Sequence, residues 1–466
     1  MVVQYSAEIA LNRFALGAKP QQISVVQKDP RAWLYQQLKP LHFSSVVGES
    51  SASWTSEQAL QATYQYRVAN QKSKAANTNQ SATKNTEQNP MMSQDIDALR
   101  KQINQSSLQL AADTFHYAIE TDMGFQARLL DFFSNHFSVT MSGNVMRAIA
   151  PTLEREAIAP HIAGKFEDLL LAVEQHPAML IYLNNERSVG PNSKFARKRK
   201  NKGLNENLAR EILELHTLGV NGGYQQNDVK ALAKAITGWS VGHPKYKQAG
   251  KFIFRIEQHE PGTRTILAKR YAQSDVTQGE AILRDLAVHP ATAQHISFKL
   301  ARHFIADQPA PKLVDDMTKV WLTTGGDLKA VLSCLIDHPL SWQTQPQKFK
   351  TPREFAISAY RATGVKFSNN RRALEVLKVL GQFPFAAGSP AGYGDVASAW
   401  DGSEAFMARI EWSEHISARV KKMPLEIAQA CLGEQLTERT ATYIKRAESR
   451  QQACALLLMS PEFQRR

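Results

Sequence analysis

The sequence predicts an all-α fold, one large multi-helix domain with at most a short hairpin near residues 250–272. Three observations predict it. Apolar residues recur at spacings of three and four along most of the chain, the period of a helix with one buried face. The helix formers Ala, Leu, Gln, Glu, Lys and Arg are abundant. The 24 Gly and 20 Pro are spread out, not clustered at the short regular intervals of a β-sandwich. With 466 residues, 43% hydrophobic and 21% charged, the chain can bury a large core without disulfides or a structural metal.

Taken in order, residues 7–17 read as a short helix with Ile9, Leu11, Phe14 and Leu16 apolar. Asp29-Pro30 opens the next one, Asp29 as N-cap and Pro30 at the first helical position. The expected organisation is an N-terminal helical segment 1–67, a polar low-complexity insertion or linker 68–106, and a main helical domain 107–466. The polar stretch 68–95 has almost no large apolar groups, too few to repay the entropy of ordering it. From 107 the helical pattern continues almost to the end, through segments such as 124–137, 151–160, 203–218, 290–306 and 352–363. Lys251–Ile256 alternates and reads as a strand. His176-Pro177, His289-Pro290, His338-Pro339 and Ser460-Pro461 each follow an apolar helix. They punctuate, stopping one helix and opening the next.

Charge and cysteine usage narrow the function classes. The net charge of +13 comes from 56 Lys and Arg against 43 Asp and Glu, which serves solubility and favours acidic partners. No nucleic-acid motif accompanies it, so nucleic acid is not an expected partner. Cys334, Cys431 and Cys454 form no CxxC pair and read as buried thiols. No stretch approaches the roughly 18 consecutive apolar residues of a membrane helix. The first residues lack a signal-peptide pattern. As written the chain is expected in the cytoplasm, and in the periplasm if a signal was removed.

Candidate chemistry concentrates on helix segments that aim polar groups at the core. In 203–219, Leu204, Leu208, Ile212 and Leu215 form the apolar stripe, Glu211 projects into it, and Asn207 and Glu214 lie along its edge. A buried carboxylate needs a cation, a proton or a partner. Arg155, Arg302 and Arg210 are the structural answer, and a cation or acid–base role is the functional one. In 151–161, Glu156 falls on the face of Ile149, Leu153 and Ala157, with His161 following. Phe132–Phe137 sets His136 among aromatics. Glu156, Asn207, Glu211 and Glu214 are the candidate catalytic groups. His136, His161, Glu211 and Glu214 are the candidate ligands of a divalent metal, the one cofactor the residue types suggest. The basic run 194–202, with Lys198, Arg199 and Lys200, and the strip His295, Lys299 and Arg302 suit an anion or an acidic partner. No GxGxxG or P-loop fingerprint is present.

Longer runs carry a resemblance. LNRFALGA (11–18), FSNHFSVT (133–140), HPAMLIYLNN (176–185), NENLAREILELHTLGVNGGY (205–224), ITGW (236–239), HPATAQHISFKLARHF (289–304), KTPREF (350–355), GQFPF (381–385) and SPEFQRR (460–466) occur in this order. Together they resemble the bacterial domain of unknown function catalogued as family 1800, from about residue 7 to the end. The resemblance implies a helical single-domain protein and no assigned activity. It also implies a neighbouring protein similar to sulfatases and alkaline phosphatases. Two functions are therefore expected to compete: an enzyme with a buried carboxylate and histidine site between helices, and a non-catalytic accessory protein for that sulfatase- or phosphatase-like partner.

Overall fold

The computed structural model describes residues 6–43, 53–80, 90–198, 203–245 and 248–466. Helices follow one another along the chain, and the sheets among the described residues are two antiparallel pairs of strands. The all-α expectation is met. Trp239–Val241 pairs with Phe252–Phe254, which is the alternating run read from the sequence. Arg264–Ile266 pairs with Lys269–Tyr271 through Leu267 and Ala268 at φ 47° and 62°. Such a two-residue turn normally takes Asn-Gly, so Leu-Ala gave no signal. The Asp228 carboxylate holds the turn, accepting from Leu267 N at 2.9 Å and from Gln225 N at 2.8 Å.

The residues from 7 to 14 run through the core. Phe14 lies 5.1 Å from the Trp342 ring, 6.0 Å from Phe125 and 6.3 Å from Phe304. The stretch 68–106, expected as an insertion or linker, is helical wherever it is described. Ser56–Gln80 and Pro90–Glu120 are two long helices packed on each other, and residues 81–89 lie outside the described set. Polar composition removes a buried face but not the helix. Gln71, Lys72, Lys74 and Ala75 are exposed, yet Ala, Gln and Lys are strong helix formers, and Ala59, Leu60 and Ala62 anchor the first helix in the core.

The three His-Pro pairs punctuate as expected and do more. Nδ1 of His176, His289 and His338 accepts the backbone N–H two residues on, in Ala178, Ala291 and Leu340. Each histidine is an N-cap to the helix its proline opens. Asp29 caps its helix through Ala32 N at 2.9 Å.

Among the described residues, three turns are wound wider than an α-helix. Residues Ala10–Phe14, Glu154–Ile158 and Ile212–His216 are π-helical. A π turn inserts one residue, which rotates everything after it by about 100° relative to an α-helical wheel. Two of the three lie in the segments that the sequence singled out for chemistry.

Candidate active site

A cavity of about 100 Å³ opens among the helix Gly124–His136, the π turn at 154, the helices Pro290–Phe304 and Pro352–Thr363, and the segment 382–395. On the first helix, Arg128, Asp131 and Asn135 sit at spacings of three and four, one face. Asp131 Oδ1 accepts from Arg353 Nε at 3.0 Å and Nη2 at 2.9 Å, a two-pronged pair. Its Oδ2 is buried and has no hydrogen-bond partner among the described residues. Glu154 faces the same cavity, 8% exposed. Its Oε2 accepts from Thr114 Oγ1 at 2.9 Å, and among the described residues it makes no ion pair. Burial pushes the Glu154 carboxyl up, Asp131 adds to this, and Arg353 and the Thr114 hydroxyl oppose it.

The opposite wall is a charged framework. Thr351 caps the helix Pro352–Thr363, and Glu354 reaches back to Thr351 N at 2.9 Å in a capping box. Glu354 also takes Arg466 Nη2 at 2.9 Å and Arg128 Nη2 at 2.5 Å, all three side chains almost fully buried. Arg128 donates further to Arg13 O and Ala15 O at 2.9 and 2.7 Å, tying the cavity to the N-terminal π turn. His303 Nδ1 lies 3.0 Å from Asp395 Oδ2, and Lys348 Nζ lies 2.7 Å from Asp307 Oδ1 and 3.3 Å from Asp395 Oδ1. Burial would raise the Asp395 carboxyl, but His303 and Lys348 outweigh it and hold it well below the usual carboxylate range.

The remaining wall is a fixed loop. Asn135 Nδ2 donates to Tyr393 O at 2.9 Å and its Oδ1 accepts from Tyr393 N at 2.8 Å. Gly392 has φ 79°, and a Cβ there would fall 2.4 Å from Asn135 O, so only glycine lets the loop approach. Phe385 lines the cavity at φ 54°, a left-handed conformation that costs a non-glycine residue about 1–3 kcal/mol.

The groups picked from the sequence lie mostly elsewhere. Glu156, expected on the buried face, turns outward. It accepts from Ser56 N at 2.7 Å and from His176 Nε2 at 3.0 Å. Burial raises it, but His176 and Ser56 leave it lowered overall. Glu154, at the start of the π turn, lies inside instead. Asn207 is exposed, and Glu211 and Glu214 are half-buried rather than central, while Leu213 and His216 on the π turn are buried. None of the three arginines expected to answer them does so. Arg155 pairs with Asp113 at 2.6 Å, Arg210 with Glu206 at 3.4 Å, and Arg302 Nε donates to Asp307 O. Glu214 accepts from Tyr224 OH at 3.2 Å. Glu211 makes no ion pair among the described residues, and burial raises its carboxyl, with His216 opposing.

His136, the metal candidate, is fully enclosed. Its Nε2 meets His216 O at 3.2 Å and its Nδ1 meets Lys299 Nζ at 2.9 Å. Burial and then Lys299 hold its imidazole well below the ordinary histidine value, while burial lowers the Lys299 ammonium to about 8. His216 Nδ1 lies 2.7 Å from Glu174 Oε1, both side chains sealed from solvent. His161 Nδ1 contacts Ala157 O at 2.8 Å. The expected ligand set His136, His161, Glu211 and Glu214 is thus not assembled. Among the described residues no three His, Cys, Asp or Glu side chains gather to hold a metal ion. Lys198 is exposed at the end of the helix Lys194–Lys198, Arg199 and Lys200 lie outside the described residues, and Arg302 is half-buried over the Phe298 ring at 4.3 Å. Cys431 and Cys454 are buried as expected, but Cys334 is half-buried. No described helix is long and apolar enough to cross a membrane.

The residues missed are Asp131, Glu154, His303, Arg353, Tyr393 and Asp395. Of these, His303 and Arg353 lie in runs that carry the family resemblance, and Asp131, Glu154, Tyr393 and Asp395 lie in none of them. FSNHFSVT, HPATAQHISFKLARHF, KTPREF and GQFPF supply residues to this one cavity.

A helical protein whose core holds a polar cavity, rimmed by an unpaired carboxyl and charge-paired groups from distant segments, is the class that fold and site define. Residues 9–465 match the family described as "Protein of unknown function (DUF1800)", and the chain belongs to that family. No curated protein and no solved structure matches it.

Proposed function

We propose that the chain is an enzyme that runs acid–base hydrolysis in the cavity between Asp131 and Glu154. The carrying observation is the contrast between the two carboxyl groups. Glu154 is buried, lacks an ion pair and is pushed up, as a general acid needs. Asp131 is pinned by Arg353 with Oδ2 left over, as a general base needs. A raised, proton-holding carboxyl facing the same cavity as an arginine-held carboxylate divides the roles of acid and base. In the step proposed, Asp131 Oδ2 takes a proton from water as the water oxygen bonds to the substrate. Glu154 gives its proton to the leaving oxygen as that bond breaks. His303, held by Asp395, and Arg353 position the substrate and any developing negative charge.

The test is a panel of chromogenic esters, glycosides, phosphate esters and sulfate esters. Glu154→Gln and Asp131→Asn should each lower any turnover found by about 100-fold or more with the helical fold kept by circular dichroism. Turnover that survives both variants sinks the reading. A divalent metal stays a proposal here too, tested by elemental analysis of purified protein before and after chelation. The accessory reading is favoured by Lys198, exposed and without an ion pair among the described residues. Co-purification with a sulfatase- or phosphatase-like protein, lost when Lys198, Arg199 and Lys200 become Glu, is its test.

A further inference from the structure

A second concavity, far larger, lies away from the carboxyl cavity. It is a cleft of about 650 Å³ between the helix Ser56–Gln80, the helices Gly143–Ile149 and Pro177–Tyr182, and the strand Trp239–Val241. Its volume is in the range of small-molecule sites. The two cavities share no lining residue.

Three features of the cleft point to one ligand chemistry. The first is uncompensated positive charge. Glu186 is the carboxylate in the lining, and Arg187 Nε already donates to it at 3.0 Å. Arg255 is half-buried, gives Nη2 to Val241 O at 3.1 Å, and has no carboxylate within ion-pair distance among the described residues. Arg67 has none either and lies over the Tyr64 ring at 5.8 Å. Glu186 is the charged neighbour of Arg255 as well as of Arg187, so Arg67, Arg187 and Arg255 outnumber the carboxylate of the lining. The excess positive charge favours an anion, and the guanidinium fork fits a carboxylate, sulfate or phosphate. The second feature is ring surface. Tyr64, Tyr66 and Tyr182 all line the cleft, and tyrosine offers a flat apolar face with a polar edge. The third is amide and hydroxyl groups. Asn70, Asn144, Asn184 and Ser142 stand along it, and Asn184 is held at φ 56°.

We propose that this cleft binds an acidic saccharide: pyranose rings lying on the tyrosines, a carboxylate or sulfate on Arg255 and Arg67, and hydroxyls on the asparagines. A nucleotide shares the anion and the ring but uses fewer hydroxyl partners, so it serves as the competing arm of the test. The inference is independent of the carboxyl cavity and stands or falls separately from the hydrolysis reading.

The experiment is calorimetric titration of the full chain with three probes. They are a hyaluronan tetrasaccharide, chitotetraose as its neutral counterpart, and AMP. One-to-one binding of the acidic tetrasaccharide is expected, with the neutral one at least tenfold weaker. Arg255→Gln should weaken it roughly ten- to a hundredfold, as expected for a charged hydrogen-bonded contact. Arg67→Gln, at an exposed position, is the second variant should Arg255→Gln fail to fold, and a fivefold loss is expected. Absence of binding at millimolar concentration overturns the proposal. So does binding that Arg255→Gln and Arg67→Gln leave unchanged, which would mean general attraction to a basic surface, and so does AMP binding more tightly than the tetrasaccharide.

Discussion

The histidine–carboxylate pairs His216–Glu174 and His303–Asp395 differ in what surrounds them. His216 and Glu174 meet at 2.7 Å with side chains 1% and 0% exposed. Phe137 and His136 rings close over them, and His216 Nε2 and Glu174 Oε2 have no hydrogen-bond partner. His303 and Asp395 meet at 3.0 Å, line the cavity, and are braced by Arg128 and Lys348. The same residue types therefore support opposite roles. A sealed pair has no path to a substrate and bears on stability, whereas a pair at a cavity can position one. Residue type does not distinguish them, but access and the number of bracing partners do.

The largest effect expected from breaking this contrast is at Glu174. Glu174→Ala leaves His216 enclosed without its carboxylate, and should cost about 3–5 kcal/mol in urea unfolding while turnover per folded molecule is kept. Asp395→Asn preserves the shape and a hydrogen bond, and should cost only about 1–2 kcal/mol but remove most turnover. If both variants lose stability alike and turnover alike, the distinction between sealed and reachable pairs is wrong.

Acidity sharpens the comparison. Asp395 is depressed in the fold, so its contribution is fully present above the unfolded value of about 3.9. It is lost as pH falls through the folded value. The stability difference between the wild type and Asp395→Asn should therefore shrink with acidification below that value. Glu154 is shifted the other way. Its contribution is present below the unfolded value of about 4.3 and lost as pH rises through the folded one. Glu154→Gln should thus stabilise by about 1 kcal/mol at pH 8 and by less at pH 4, measured by melting at both. An equal gain at the two values would mean that the Glu154 carboxyl binds its proton no more tightly in the fold than in the unfolded chain.

A backbone change tests the loop wall. Gly392→Ala places a methyl against Asn135 O at φ 79° and should cost about 1–3 kcal/mol. Turnover should fall with it, since Tyr393 is pinned by Asn135. Asn135→Ala should mimic the turnover loss without the strain, which crystallography of the loop would check.

Local signals in the sequence were legible where they act locally. The helical period, the cap at Asp29, the His-Pro boundaries and the strand at 252–254 all lie within a few residues of their cause. The site was not legible for two physical reasons. Its members come from positions 131, 154, 303, 353 and 395, and no periodicity links residues that far apart. And the helical wheel assumed 3.6 residues per turn through two segments that are π-wound. Glu154 lies inward where Glu156 is expected, and His216 lies inward beyond Glu211. Each segment stands out in the sequence because it puts carboxylates where apolar residues are expected.

Glu211 and Glu214 provide the last and smallest test. They sit half-buried on the π-wound helix that also carries His216. The carboxyl of Glu211 has no ion pair among the described residues, and burial raises it. Glu214 has the Tyr224 hydroxyl. Removing charge from a partly desolvated, unpaired carboxylate relieves a cost, so the double variant Glu211→Gln, Glu214→Gln should shift stability at pH 7 by no more than about 0.5 kcal/mol, toward greater stability. Turnover in the cavity should be unchanged. A loss of turnover or of bound metal in this variant would move the chemistry from the cavity to this helix. It would mean that the half-buried acids, not Glu154 and Asp131, are the reacting pair.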